Sequence, residues 1–163
     1  GEEFIVLEGV FQDEHGDFPV GSYIRNPPTS SHTPGSDEGC VIFVKLWQFQ
    51  PDDRTQIMIN MDKTEPVSAA GREGVSIIPL YRDDQETVRT EIWEPGAHVE
   101  LDLREGGEVL VLDGGFVEGD DTLRQHSWLR IPEGGTLDAT AGKAGARVWI
   151  KTRHIPHAKP PAT

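Results

Sequence analysis

The sequence is poor in cysteine, in long apolar runs and in positive charge, and each shortage closes off a class of protein. Cys40 is the only cysteine, so no intramolecular disulfide can form and no cysteine cluster can hold zinc; a reducing compartment fits. No apolar run approaches the ~20 residues of a membrane span, and no signal peptide opens the chain. The expectation is a cytoplasmic protein without a membrane partner. Lys and Arg number 15 against 28 Asp and Glu, for a formal net charge of −13. Such a surface repels nucleic acid and anionic membrane, so neither is expected as a ligand, and the acidity serves solubility. There is no Gly-rich phosphate loop and no nucleophile elbow.

Helical periodicity is also nearly absent. Short β-rich runs separated by turn residues fill the 163 residues, helped by 18 glycines and 12 prolines. Strands are predicted over 3–7, 21–25, 41–49, 56–60, 75–81, 88–93, 98–103, 109–112, 126–131 and 147–152. Their regular spacing predicts an all-β sandwich or barrel with essentially no helix. Residues 61–74 are polar and read as a linker, and 158–163 as a loose tail. Trp47 and Trp93 fall in predicted strands and are expected to pack in a core or interface.

An internal repeat organises these strands. Residues 1–11 line up with 106–116, and 22–27 with 127–132. After one extra residue in the second copy, 39–45 line up with 145–151. Register held across three blocks predicts two β-barrel repeats, the first at 1–65 and the second at 66–157. The second copy has further strand-like sequence over 75–103. The chain opens at Gly1 straight into the apolar stretch 4–7, as if in mid-element. A segment matching 75–103 is therefore expected before Gly1, or supplied as strands by another chain.

The first repeat resembles the cupin domain of ChrR-like anti-sigma factors. Glu2 and Gly9 keep the spacing of seven found at the end of the first cupin motif. Residues 13–23 resemble the family's hairpin. Gly21, Pro27 and His32 resemble the second motif, in which a His follows the Pro by five positions, and 38–45 also fit. The resemblance is strong over about 1–50 and weak in the second repeat. It implies a double-stranded β-helix, or jelly roll, in duplicate. It also implies a metal held by a His-x-His pair, the Glu and the later His, with Glu2 and His32 matching the last two. The pair itself would lie two to four residues before Gly1. Alternate residues of a strand share a face, so such a pair aims both imidazoles inward. Imidazole and carboxylate suit zinc, iron, manganese or nickel, and zinc is the choice the resemblance favours. Taken alone, Glu2 reads as a solvated carboxylate and His32 as a loop histidine.

Under the repeat register, Glu2 falls on Gly107 and His32 on Leu137, while the expected His pair falls on Leu101 and Leu103. The second repeat is thus expected to bind no metal and to fill that space with aliphatic carbon. His15 sits in a hairpin turn and is expected to be exposed. His98, His126, His154 and His157 match no ligand pattern. Cys40 reads as a buried structural thiol, with a redox role open.

The resemblance implies a metal-binding cupin like the regulatory, sensing half of ChrR-like factors. The helical domain by which such factors hold a sigma factor is absent, so a sigma factor would be bound only through that absent domain. The alternative is a non-haem metal-dependent dioxygenase of the cupin superfamily acting on a small ketone or diketone. A metal-free binding scaffold is a third reading. A homodimer and a small-molecule ligand in the first barrel are further expectations.

Overall fold

The computed structural model describes residues 1–158, so 159–163, most of the stretch read as a tail, lie outside the described residues. The chain divides into two compact units, Gly1–Thr64 and Glu65–His157. The first holds strands β1 (Glu2–Asp13), β2 (Gly16–Pro19), β3 (Ser22–Asn26), β4 (Cys40–Leu46) and β5 (Ile57–Asn60), then a 3-10 turn at Met61–Lys63. They form one antiparallel sheet in the order β2-β1-β3-β5, with β4 on the other side of β1. Among the described residues β4 pairs with β1 alone.

The second unit holds β6 (Val67–Ser68), β7 (Val75–Arg82), β8 (Thr87–Trp93), β9 (His98–Leu103), β10 (Gly107–Glu118), β11 (Asp121–Arg124), β12 (Trp128–Ile131) and β13 (Gly135–Thr152), then a 3-10 turn at Ile155–His157. The long β13 pairs with β9 through Gly135–Thr140 and with β8 through Ala146–Thr152. It also pairs with β10 at both ends. The protein is all-β, and no helix of the described residues is long and apolar enough to cross a membrane.

The ladders reproduce the sequence repeat residue by residue. Glu2, Glu3, Phe4 and Ile5 face Asn26, Arg25, Ile24 and Tyr23, as Gly107, Glu108, Val109 and Leu110 face Ile131, Arg130, Leu129 and Trp128. β1 meets β4 as β10 meets the end of β13, with a register break at Val6/Glu8 in one and at Val111/Asp113 in the other. A charged trio recurs too: Glu3 faces Arg25 and Lys45, and Glu108 faces Arg130 and Lys151. Four glycines sit just beyond the break. Gly9 and Gly114 sit at φ +71° and +67°, and a Cβ on either would collide with the carbonyl oxygen of Gly39 or Gly145. Only glycine gives both the left-handed backbone and that close approach.

The core of the second unit gathers Trp93, Val99, Leu103, Val109, Val111, Phe116, Leu137, Val148 and Ile150. The first unit has a smaller cluster of Phe4, Val6, Phe11 and Ile24, with Phe18, Cys40 and Ile42 partly buried against it. Each such side chain contributes roughly 1.5–3 kcal/mol when fully buried.

Several expectations need correction. β1, β10 and β13 run further than their apolar stretches, because the bulges let a Gly- and Ala-rich chain keep its ladder. β2, β6 and β11 are short and polar and carried no strand signal. β4 stops at Leu46, not at 49. Trp47 follows at φ +57° and is 62% exposed instead of packed. Trp93 is buried as expected. The supposed linker begins with buried Met61 and includes β6. Cys40 is half-buried at the rim of its cluster, not fully enclosed.

Gly114→Ala should cost about 2 kcal/mol or more, since it adds a backbone collision to left-handed strain. Gly119 has φ +58° with nothing near a Cβ, so Gly119→Ala should cost about 1 kcal/mol from strain alone. Urea denaturation of the two variants checks this, and equal losses would remove the packing role given to Gly114.

Candidate functional site

Glu2 and His32 meet. The His32 Nε2 lies 2.7 Å from Glu2 Oε1, and its Nδ1 lies 3.0 Å from Asp13 Oδ2. Asp13 is almost fully buried, and the His32 and Glu2 side chains are 17% and 25% exposed. The Phe11 ring lies 5.7 Å from the imidazole, centre to centre. Asn26 donates to the same Glu2 oxygen at 3.2 Å, across the β1–β3 ladder. A cavity of about 260 Å³ opens beside these groups, lined also by Leu46 and Trp47.

β1 carries both carboxylates, one at each end. Glu2 is fixed by pairing on both sides, to Asn26 and to Leu46. Asp13 ends the strand, and its other oxygen accepts the His15 N–H at 2.7 Å, bracing the β1–β2 turn. His32 comes from the irregular stretch between β3 and β4. That stretch turns at Pro27–Ser30, where Ser30 bonds the Pro27 carbonyl through both N–H and hydroxyl. It is then tied to the end of β1. Gln12 and Gly35 exchange two backbone hydrogen bonds of 2.8 Å. Thr33 N–H donates to Glu14, Asp37 N–H to the Gln12 side chain, and Ser36 hydroxyl to the Val10 carbonyl. The Thr33 N–H holds the Glu14 carboxyl below its usual range.

Sequence reasoning missed Asp13 as a partner of His32. The only available signal was its place at the end of a hairpin strand beside His15, which argues for a turn and not for a site. His15 is exposed, as expected. His98 bonds Asp138 at the surface. His154 is buried, with a ring nitrogen 3.3 Å from Glu108. Among the described residues no group of three or more His, Cys, Asp or Glu stands ready to hold a metal ion.

The four counterpart positions in the second unit also come together. Leu137 faces Leu101 across the β13–β9 ladder, and Leu103 packs against the place a Gly107 Cβ would take. Leu103 and Leu137 belong to the core, and Leu101 packs on it. Nearby, fully buried Glu91 on β8 is clamped: Arg72 donates to both its oxygens at 2.8 and 2.7 Å, Arg89 at 2.7 Å and Trp93 at 2.8 Å. Burial works to raise the Glu91 carboxyl. The hydrogen bond from Arg72, the charges of Arg89 and Arg72 and the Trp93 bond outweigh it, so the group is held below its usual range.

Residues 1–50 match the family model described as the ChrR cupin-like domain. Among solved structures, a provisionally assigned dioxygenase from Nostoc punctiforme PCC 73102 superposes with TM-score 0.75 at 16% identity, covering 99% of this chain and 66% of that one. YlbA from E. coli gives 0.66 at 13% identity, covering 99% and 69%. The complex of Rhodobacter sphaeroides SigE with the anti-sigma ChrR gives 0.50 at 17% identity, covering 56% of this chain and 50% of that one. These likenesses establish the duplicated cupin fold. The chain spans just under two thirds of the Nostoc protein and half of the chain in the sigma complex. No curated protein matches it.

A carboxyl held low in the folded protein stabilises above the ordinary carboxylate range and ceases to do so as pH falls through its folded value. Glu91→Gln should therefore cost about 3–5 kcal/mol near neutrality, because two guanidinium groups lose their partner. The gap to the parent should close in acid. Urea denaturation across pH measures both, and a gap independent of pH would show that the carboxylate charge plays no part.

Proposed function

We propose that the first unit is a metal-binding cupin of the kind that forms the sensing half of ChrR-like anti-sigma factors, with Glu2 and His32 as two of its ligands. The observation that carries this is the contact between His32 Nε2 and Glu2 with Asp13 on the opposite ring nitrogen. A neutral imidazole has one N–H, so it can donate to one of these carboxylates at a time. A protonated ring would donate to both, and a divalent cation held by His32 and Glu2 would equally resolve the conflict, with Nδ1–H left to Asp13. A carboxylate behind a ligating imidazole is the ordinary supporting arrangement of metal-bound histidine.

The residues fit a metal in part. An imidazole and a carboxylate suit zinc first, and iron, manganese or nickel as well. Two protein donors fall short of the three or four that zinc takes, so the remaining positions fall to water or to groups outside the described residues. When bound, the ion supplies a Lewis acid with positions open to a small ligand. Asp13 orients the imidazole, Asn26 orients Glu2, and Phe11 shields the ring. Holding a sigma factor belongs in this reading to a separate domain.

A second reading draws on the same features. A metal held by Glu2 and His32 beside the cavity walled by Leu46 and Trp47 would suit an iron-dependent dioxygenase acting on a small ketone or diketone. Metal identity and oxygen consumption with a diketone separate the two.

Zinc titration by equilibrium dialysis tests the site. His32→Ala should weaken binding at least about tenfold, and His15→Ala should leave it unchanged. Equal zinc content in parent, His32→Ala and His15→Ala would remove the assignment. Asp13→Asn should weaken zinc binding without unfolding the protein, as near-parental urea denaturation would show.

A further inference from the structure

One pair of counterpart strands is covered in the first unit and bare in the second. β3 lies between β1 and β5, and all five of its residues are buried. β12 faces β10 in the register that β3 keeps with β1. Among the described residues, however, no strand lies on its other side. Trp128 stands where buried Tyr23 stands and is 50% exposed. Arg130 stands where Arg25 stands, and its side chain is 55% exposed against 1%. Alternate strand residues share a face, so Trp128 and Arg130 stand side by side.

The first unit shows what covers such an edge. After β4 the chain runs through an irregular segment and returns as β5, antiparallel to β3, with Ile57 opposite Arg25 and Ile59 opposite Tyr23. The segment before β5 is fitted to Arg25. The Phe49 ring centre lies 3.8 Å from the guanidinium carbon. Asp53 Oδ2 accepts from Arg25 at 2.5 Å, and the Thr55 carbonyl accepts at 2.9 Å. The cover is thus an extended apolar strand preceded by an aromatic ring and a carboxylate. Four residues of β5 are enough to pair. Among the described residues Arg130 has only Glu108, 3.9 Å away, and that carboxylate also lies 3.3 Å from His154. An unpaired edge beside an exposed indole and a half-exposed guanidinium invites strand addition.

We propose that β12 is a docking edge for an extended segment of another protein. That segment carries an aromatic ring and an acidic residue ahead of alternating apolar residues. Its backbone extends the sheet past β12, and its carboxylate and ring take Arg130 as Asp53 and Phe49 take Arg25. The edge owes nothing to Glu2 or His32, so it stands apart from the metal reading.

A labelled synthetic peptide with the sequence of residues 48–60 is the probe, titrated with the full chain and followed by fluorescence anisotropy. It should bind saturably, one per chain. Asp53→Arg in the peptide should weaken binding about fivefold or more, and so should Arg130→Glu in the protein. Combining the two changes should restore much of the loss, which a merely structural effect of Arg130 would not do. Trp128→Ser should weaken binding about threefold or more, and it decides should Arg130→Glu fail to fold. Absence of saturable binding, parental affinity in folded Arg130→Glu or in Trp128→Ser, or no recovery in the charge swap would each overturn the proposal. A parent that sediments as a dimer and is dissociated by Trp128→Ser would make a second copy the occupant and overturn it as well.

Discussion

The contact between Asp13 and His32 sets the geometry of the polar cluster in the first unit. A histidine on a thirteen-residue irregular stretch has many places to point. Here the buried Asp13 carboxylate takes one ring nitrogen, and the other can then only face Glu2. Both carboxylates belong to β1, so the separation between them is set by a strand held in a sheet. The flexible partner is aligned by two rigid ones. The backbone exchange between Gln12 and Gly35 and the side-chain bonds around it add the restraint that a lone hydrogen bond would lack. A positioned imidazole loses less freedom when it takes up a ligand, which is how a sparse donor set becomes useful.

The two units solve one packing problem with different chemistry. Each has a strand whose register breaks at the same repeat position, just before a left-handed glycine, a second strand facing it in the same register and a buried Glu beside Lys and Arg. At the place where the first unit presents polar donors, the second presents leucines, and it buries its carboxylate on Glu91 under two guanidinium groups. Burying that carboxylate without the arginines would be costly, and with them it stays ionised. Shared architecture therefore says little about shared ligands, and the side chains at each site have to be read separately.

Much of this was legible in the sequence. Register across three blocks located the duplicated strands, because a one-residue slip turns every side chain to the wrong face and leaves a strong pattern. The spacing of Glu2, Gly9, Pro27 and His32 brought the first two site residues together. Asp13 was not legible, because a carboxylate at a turn beside a histidine has an adequate local explanation. Nor was the long first half of β13, whose Gly, Ala, Asp and Lys residues carry little strand preference and are held by the ladders on either side. Trp47 misled for the opposite reason: an apolar ring in an apolar run reads as core, yet the chain bends there with positive φ and leaves it at the surface. Arg89 and Arg72 gave no signal, since their partner Glu91 becomes special only through burial.

Leu137 lies within a continuous hydrogen-bonded strand, whereas its counterpart His32 lies in a stretch free of such a ladder among the described residues. In the first unit the backbone around His32 is tied by the Gln12–Gly35 exchange and a few side-chain bonds. In the second the peptide groups on either side are committed to neighbours. The two copies have become unequal in their capacity to evolve. An insertion beside His32 need disturb no ladder, while one beside Leu137 would turn the following side chains of β13 to the wrong face.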